Sequence, residues 1–232
     1  LANAARNGKI VTVMLELRAR FDEEANLYWK ERLEEEGVRV LIGVPNMKVH
    51  AKICLIKKRI NNHTIHYGFV STGNLNEKTA LVYGDTCLLT ADRNIMADVN
   101  RVFNYLEHPK TRIQYLKSCK TLMVSPTAMR KQLMQLINKE IKAARQKKPA
   151  AITLKLNSLS DEILIDKLYE AAKAGVDLKL VIRGIFCLPT EHKKFKHPVQ
   201  AISIVDEYLE HSRIMIFHNG GKEKTFISSA DW

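Results

Sequence analysis

Short apolar runs rich in β-branched residues alternate along the chain with longer segments whose apolar residues recur every three or four positions. The first kind reads as buried strands and the second as helices lying on them. Lys9–Glu16 (KIVTVMLE) is the first strand, reached almost at once, and Leu17–Asp22 is the turn after it. Asp22 is placed to cap a helix running to about Glu36, with Glu23 and Glu24 at its positive end and Leu27, Trp29 and Leu33 as its apolar side. Gly37 stops that helix and Val38–Ile42 is the next strand. A strand carrying His50 follows Pro45. Asn61-Asn62-His63 is a hairpin turn leading into Ile65–Val70, and Asp85–Leu89 is a further strand. Asp92 caps a helix with Ile95, Val99, Val102, Phe103 and Leu106 on one side, ended by Pro109. Tyr115–Val124 links to a long helix with Ser125 as N-cap and Pro126 at its first position. Its core stripe is Met129, Leu133, Leu136, Ile137 and Ile141.

The second half replays the first. Ile10–Gly43 and Ile152–Gly184 both read strand, polar turn, helix, Gly-Val, strand, Gly. In the second copy the strands are Ala151–Leu156 and Val176–Ile182, and the helix is Asp161–Ala174. A histidine-bearing segment follows each copy. This repeat predicts two α/β domains, 1–120 and 121–232, facing one another across a pseudo-dyad, with mixed sheets flanked by helices.

Composition narrows the partners. The net charge of +12 favours a polyanion: nucleic acid, an anionic membrane or another phosphate polymer. The four cysteines have no metal-ligand spacing, and Cys54, Cys87 and Cys187 sit in apolar runs as core thiols do, so a reducing cytoplasmic setting is expected. No apolar run reaches transmembrane length. The chain starts without Met and stops where an α/β domain is expected to continue into a helix, so it reads as a fragment.

The chemistry gathers at Val49-His50-Ala51-Lys52 and Ser71-Thr72-Gly73-Asn74. On a strand, residues two apart share a face, so His50 and Lys52 are expected side by side, an imidazole with a fixed cation. The Thr-Gly-Asn turn offers N–H groups, a hydroxyl and an amide. Attack by an imidazole on phosphorus needs such a nucleophile, with donors on the oxygens that gather charge. A second arrangement lies at Glu210-His211-Ser212-Arg213 with Ser228-Ser229-Ala230-Asp231. Asn74 and Asp231 read as turn-shaping residues. Arg183 ends an apolar strand at the carboxyl edge, where α/β sheets place ligands.

The paired histidines with their Ser/Thr-x-Asn/Asp turns resemble the phospholipase D superfamily. The runs ARFDEEAN (19–26), KVHAK (48–52), STGNLNEKTA (71–80), YLEHSRI (208–214) and ISSADW (227–232) are similar to the C-terminal catalytic domains of the first class of polyphosphate kinase. The resemblance implies reversible transfer of the ATP terminal phosphoryl group to inorganic polyphosphate through a phosphohistidine at His50. It implies that His211 is the second active-site histidine and also touches nucleotide; Lys52, two residues from His50, is expected in the catalytic set on that spacing. Tyr83, Arg183 and Arg20 match nucleotide-site positions. Arg20 also matches a magnesium-associated position; a guanidinium is always cationic, so that link runs through phosphate or water. Mg2+ is the implied cofactor, with ATP/ADP and polyphosphate as partners and homo-oligomeric assembly in the full-length enzyme. No nucleic acid is expected, and peripheral contact with the inner leaflet is compatible with the charge.

Two other readings stay open. In a phospholipase D-like phosphodiesterase His50 would cleave a diester. Against it, Lys57 and Lys58 stand where that pattern has an Asp, and Arg213 stands where it has a lysine. A non-catalytic polyanion-binding module would rest on charge alone.

Overall fold

A computed structural model describes residues 1–16 and 23–232. Arg20 and the expected cap Asp22 lie outside the described residues. In chain order the elements are α1 Ala2–Arg6, β1 Thr12–Leu15, α2 Glu23–Glu35, β2 Arg39–Ile42, β3 Lys52–Ile60 and β4 His63–Ser71. Then come α3 Glu77–Ala80, β5 Tyr83–Gly84, β6 Cys87–Thr90, α4 Arg93–Glu107 and α5 Ile113–Lys117. The rest are α6 Met129–Arg145, β7 Ala151–Leu156, α7 Glu162–Ala174, β8 Asp177–Ile182, β9 Gln200–Ile202, β10 Leu209–Glu210, β11 Arg213–Phe217 and β12 Lys224–Ser228.

The chain forms two compact units, residues 1–50 with 97–120 and residues 51–96 with 121–232. In the first, β1 and β2 pair in parallel, Thr12 opposite Arg39, across the helix α2. In the second, β7 and β8 pair in parallel, Ala151 opposite Asp177, across α7. The repeat is therefore a repeated β-α-β unit, and both copies stop their helix the same way. Gly37 (φ 77°) and Gly175 (φ 95°) are left-handed. The N–H of Val38 donates to Leu33 O and that of Val176 to Ala171 O, while the glycine N–H groups reach Glu34 O and Ala172 O. These bonds satisfy the last carbonyls of each helix, and a glycine carries the positive φ without penalty. Val38 and Val176 are then turned inward, 3% and 1% exposed.

The second unit is built on a five-stranded sheet in the order β12-β11-β7-β8-β9, parallel at β7-β8-β9 and antiparallel at β7-β11-β12. Ile152, Leu154 and Leu156 alternate into a core with Leu178, Leu180 and Ile182, closed by Leu133, Ile137 and Ile141 of α6 and Leu164 and Leu168 of α7. Each fully buried side chain of this kind contributes about 1.5–3 kcal/mol. The stripe expected on α6 is buried throughout. Asp92 accepts from the N–H groups of Asn94 and Ile95, the cap expected for α4. Asn61 (φ 45°) and Asn62 (φ 62°) turn the β3–β4 hairpin, as a two-residue turn with both residues left-handed requires.

Several expectations are corrected. A helix, α1, precedes the first strand. Leu27 and Trp29 of α2 are 48% and 54% exposed, and Leu33 alone of the three is buried. Two four-residue strands give a face about 13 Å long, too short to cover a thirteen-residue helix of about 20 Å. The helix α6 begins at Met129 with Ala128 as N-cap, because Ser125–Met129 first form a turn in which Ala128 and Met129 both donate to Val124 O. The supposed link at Tyr115–Val124 contains part of α5. Cys87 and Cys187 are exposed, and Cys119 is the buried thiol, its pKa pushed up to about 11 by burial and the nearby Asp98 charge.

Gly68 tests the antiparallel sheet β3-β4-β6. A Cβ there would lie 2.0 Å from the carbonyl oxygen of Cys54 on the neighbouring strand. Gly68→Ala should cost about 1–3 kcal/mol, read by urea denaturation, because backbone cannot step aside as a side chain would.

Candidate functional site

In the second unit the site is built around His211, in the turn between β10 and β11. Its backbone N–H and that of Ser212 donate to Gly84 O at 3.2 and 3.0 Å. This continues the short parallel pairing of β10 with β5, in which Leu209 faces Tyr83. That pairing delivers the residue after Gly84, Asp85, to the imidazole: His211 Nδ1 donates to Asp85 Oδ1 at 2.8 Å. The Tyr83 ring lies 5.0 Å from the imidazole, centroid to centroid.

The Ser71-Thr72-Gly73 turn holds the carboxylate. Thr72, fully buried, donates its hydroxyl to Asp85 Oδ1 at 2.6 Å and accepts from the Thr86 N–H at 3.0 Å. Its own N–H donates to Thr86 O. Gly73 leaves the room required, since a Cβ there would lie 2.2 Å from Asp85 Oδ2. The hydroxyl expected to serve a substrate oxygen is thus committed to orienting Asp85. Asn74 is exposed, and Asn76 caps α3 by accepting from the Lys78 and Thr79 N–H groups.

Burial pulls the His211 pKa below its ordinary value; the Asp85 hydrogen bond and charge oppose this, and the charges of Arg213 and Lys52 add to it. The imidazole is therefore neutral at pH 7, with its proton on Nδ1 toward Asp85 and Nε2 left as the acceptor. Lys52 is 9% exposed at the start of β3, opposite Ser71.

Arg213 occupies the place where a lysine was expected, and the geometry explains it. The side chain is 4% exposed. Nε and Nη2 donate to the two oxygens of Asp231 at 3.2 and 2.9 Å, and Nη1 to the His211 carbonyl at 2.6 Å. A lysine cannot supply that fork. Asp231 Oδ1 also accepts from the Asn157 and Ser158 N–H groups, at 2.8 and 3.0 Å. Burial raises the Asp231 pKa, but Arg213 and these N–H groups outweigh it and hold the carboxyl below its usual range. Asn157, at the carboxyl end of β7, accepts from Arg183 at the end of β8. The Arg183 Nε is buried without a hydrogen-bond partner among the described residues.

His50 belongs to the first unit and is exposed. It does not lie on a strand: the preceding Val49 N–H donates to Glu16 Oε2 at 2.8 Å, and ladder pairing starts only at Lys52. Asp85, Tyr83 and the charge of Lys52 all bear on His211, and Arg183 connects to Asp231 through Asn157. Arg20 lies outside the described residues. Asp85 escaped sequence reasoning, although it directly follows Tyr83-Gly84; its partner His211 is 126 residues away. Among the described residues no three His, Cys, Asp or Glu side chains gather as a metal cage.

This arrangement, a carboxylate-held imidazole on mixed sheets flanked by helices, defines an α/β protein of the phospholipase D-like kind. Family models for polyphosphate kinase C-terminal domains 1 and 2 match residues 1–112 and 122–232. The polyphosphate kinases of Escherichia coli K12 and Salmonella typhimurium are each 47% identical over all 232 residues. The chain spans a third (33%) of those relatives' length. The crystal structure of polyphosphate kinase from Porphyromonas gingivalis superposes with a TM-score of 0.85 at 41% identity, covering the whole of this chain and 38% of that one. The chain belongs to the polyphosphate kinase family and corresponds to its C-terminal region.

Two outcomes test the site. Asp85→Asn removes the anion that supports the imidazolium, so the His211 pKa should fall further, read from its Cε1–H resonance during an NMR titration. Asp231→Ala leaves buried Arg213 unpaired and should cost about 3–5 kcal/mol in a denaturant melt.

Proposed function

We propose that this chain carries the transfer site of an ATP:polyphosphate phosphotransferase. The observation that carries the reading is the Asp85–His211 pair, a neutral imidazole fixed by a carboxylate and set among cations, in a chain of this family. In the first half-reaction the neutral imidazole of His50 attacks the γ-phosphorus of ATP. A P–N bond forms, the bond to the bridging oxygen breaks, and ADP leaves. In the second, a terminal oxygen of polyphosphate attacks that phosphorus and the P–N bond breaks, restoring His50. His211 Nε2 takes the proton of the attacking terminal phosphate and returns it to the bridging oxygen in the reverse direction. Such transfer depends on positioning and on neutralising oxygens. Lys52 and Arg183 supply charge, Arg183 with a donor to spare, and Arg20 is assigned to the nucleotide phosphates. Tyr83 offers its ring to the nucleotide.

Magnesium enters as the counterion of the nucleotide phosphates. The cations at the site suit phosphate oxygens, and among the described residues no carboxylates gather to hold magnesium, so the ion would be held through the nucleotide phosphates. No described helix is long and apolar enough to cross a membrane. Cytoplasmic location, homo-oligomeric assembly and peripheral contact with an anionic leaflet are assigned to the longer protein. We assign the histidine motifs to two domains, 1–120 and 121–232.

The test is incubation with γ-labelled ATP and magnesium. Acid-labile, alkali-stable label should form on His50, chase onto polyphosphate, and vanish in His50→Gln. Turnover should fall as pH drops through the depressed His211 pKa, because the protonated ring cannot accept a proton. Persistent label in His50→Gln would assign the nucleophile elsewhere. Salt-sensitive polyphosphate binding without any label would favour a binding module.

A further inference from the structure

Lys155 lies on the central strand β7 with its side chain 18% exposed. Its ammonium is 2.8 Å from Glu210 Oε2, 2.5 Å from Ser212 Oγ and 3.2 Å from the Ser212 carbonyl oxygen. An ammonium has three donors, and here three acceptors meet it. The two residues that supply them bracket His211. From the other side Gly84 O takes the His211 and Ser212 N–H groups, and Arg213 holds the His211 carbonyl.

From this geometry we infer that Lys155 is a positioning residue for His211. Asp85 fixes the rotation of the ring; Lys155 fixes the backbone from which the ring projects. The two constraints are separate, because a ring held at Nδ1 alone still swings as its backbone moves. Proton transfer needs heavy atoms about 2.6–3.2 Å apart, and a misplacement of 1 Å can cost about 100-fold. Lys155 therefore contributes to turnover without touching the transferred phosphoryl group. This role rests on the proposed part of His211 in proton transfer.

Lys155→Met and Lys155→Arg test it in two ways. In whatever length of protein takes up label from ATP, Lys155→Met should lower kcat about tenfold, with KM for ATP within about twofold and the burst of phosphohistidine unchanged. Lys155→Arg keeps a cation with several donors and should recover kcat to within about threefold of the parent. By NMR on this chain, the Cε1–H resonance of His211 should broaden or double in Lys155→Met and return to one line in Lys155→Arg. A single unshifted line in Lys155→Met overturns the inference, as does a raised KM at constant kcat, which would make Lys155 a phosphate contact. Should Lys155→Met fail to fold, Glu210→Gln weakens the same ion pair, and the same resonance must broaden or the inference falls. If the parent takes no label, the transfer reading fails, while the NMR comparison still decides whether Lys155 orders His211.

Discussion

The carboxylate of Asp85 is the point on which this site depends. It is held on one side by a buried threonine hydroxyl and spends its charge on the other on an imidazole. Burial and two nearby cations disfavour protonation of that imidazole; the carboxylate opposes them and selects which nitrogen carries the proton. Tautomer and ring rotation are thus set by one residue, which also props the ring's basicity against burial and is itself placed by a two-residue parallel pairing between distant parts of the chain.

Around that pair the buried cations divide by task. Arg213 closes a fork on Asp231 and so ties the start of β11 to the turn after β7. Lys155 closes on Glu210 and Ser212. Both are held by partners that frame His211, while Lys52 bears on the imidazole through its charge and Arg183 reaches Asn157 at the end of β7. Charge count alone does not separate these roles; the partners do. It follows that the arginine at position 213, a departure from the phospholipase D pattern, is a fixture of the scaffold that bears on His211 through its charge.

Much of the scaffold was legible because its signals are local. The strand-helix-strand repeat, the Gly-Val stops at Gly37 and Gly175, the Asp92 cap and the stripe on α6 each follow from residues within a few turns of one another. The resemblance points to His211 and Tyr83 but not to Asp85, the partner of His211, since nothing in Tyr83-Gly84-Asp85 announces a histidine 126 residues away. Lys155 stayed hidden for the same reason, as a lysine in an otherwise apolar strand. The Thr72 hydroxyl turns to Asp85, which a sequence cannot tell, because it shows donors without showing which way they point. The composition of KVHAKI favours a strand at His50, and the structure has none there. The Val49 amide, claimed by Glu16, delays the ladder until Lys52.

The space beside Gly73 has one further consequence. The volume that a side chain would need at position 73 is already filled by the Asp85 carboxylate. The two positions share a single void, and occupying it from one side evicts the group on the other. Adding no more than a methyl there, with no change of charge anywhere in the chain, would displace the anion that sets the imidazole. A purely steric substitution would then register in a titration as if a charge had been moved.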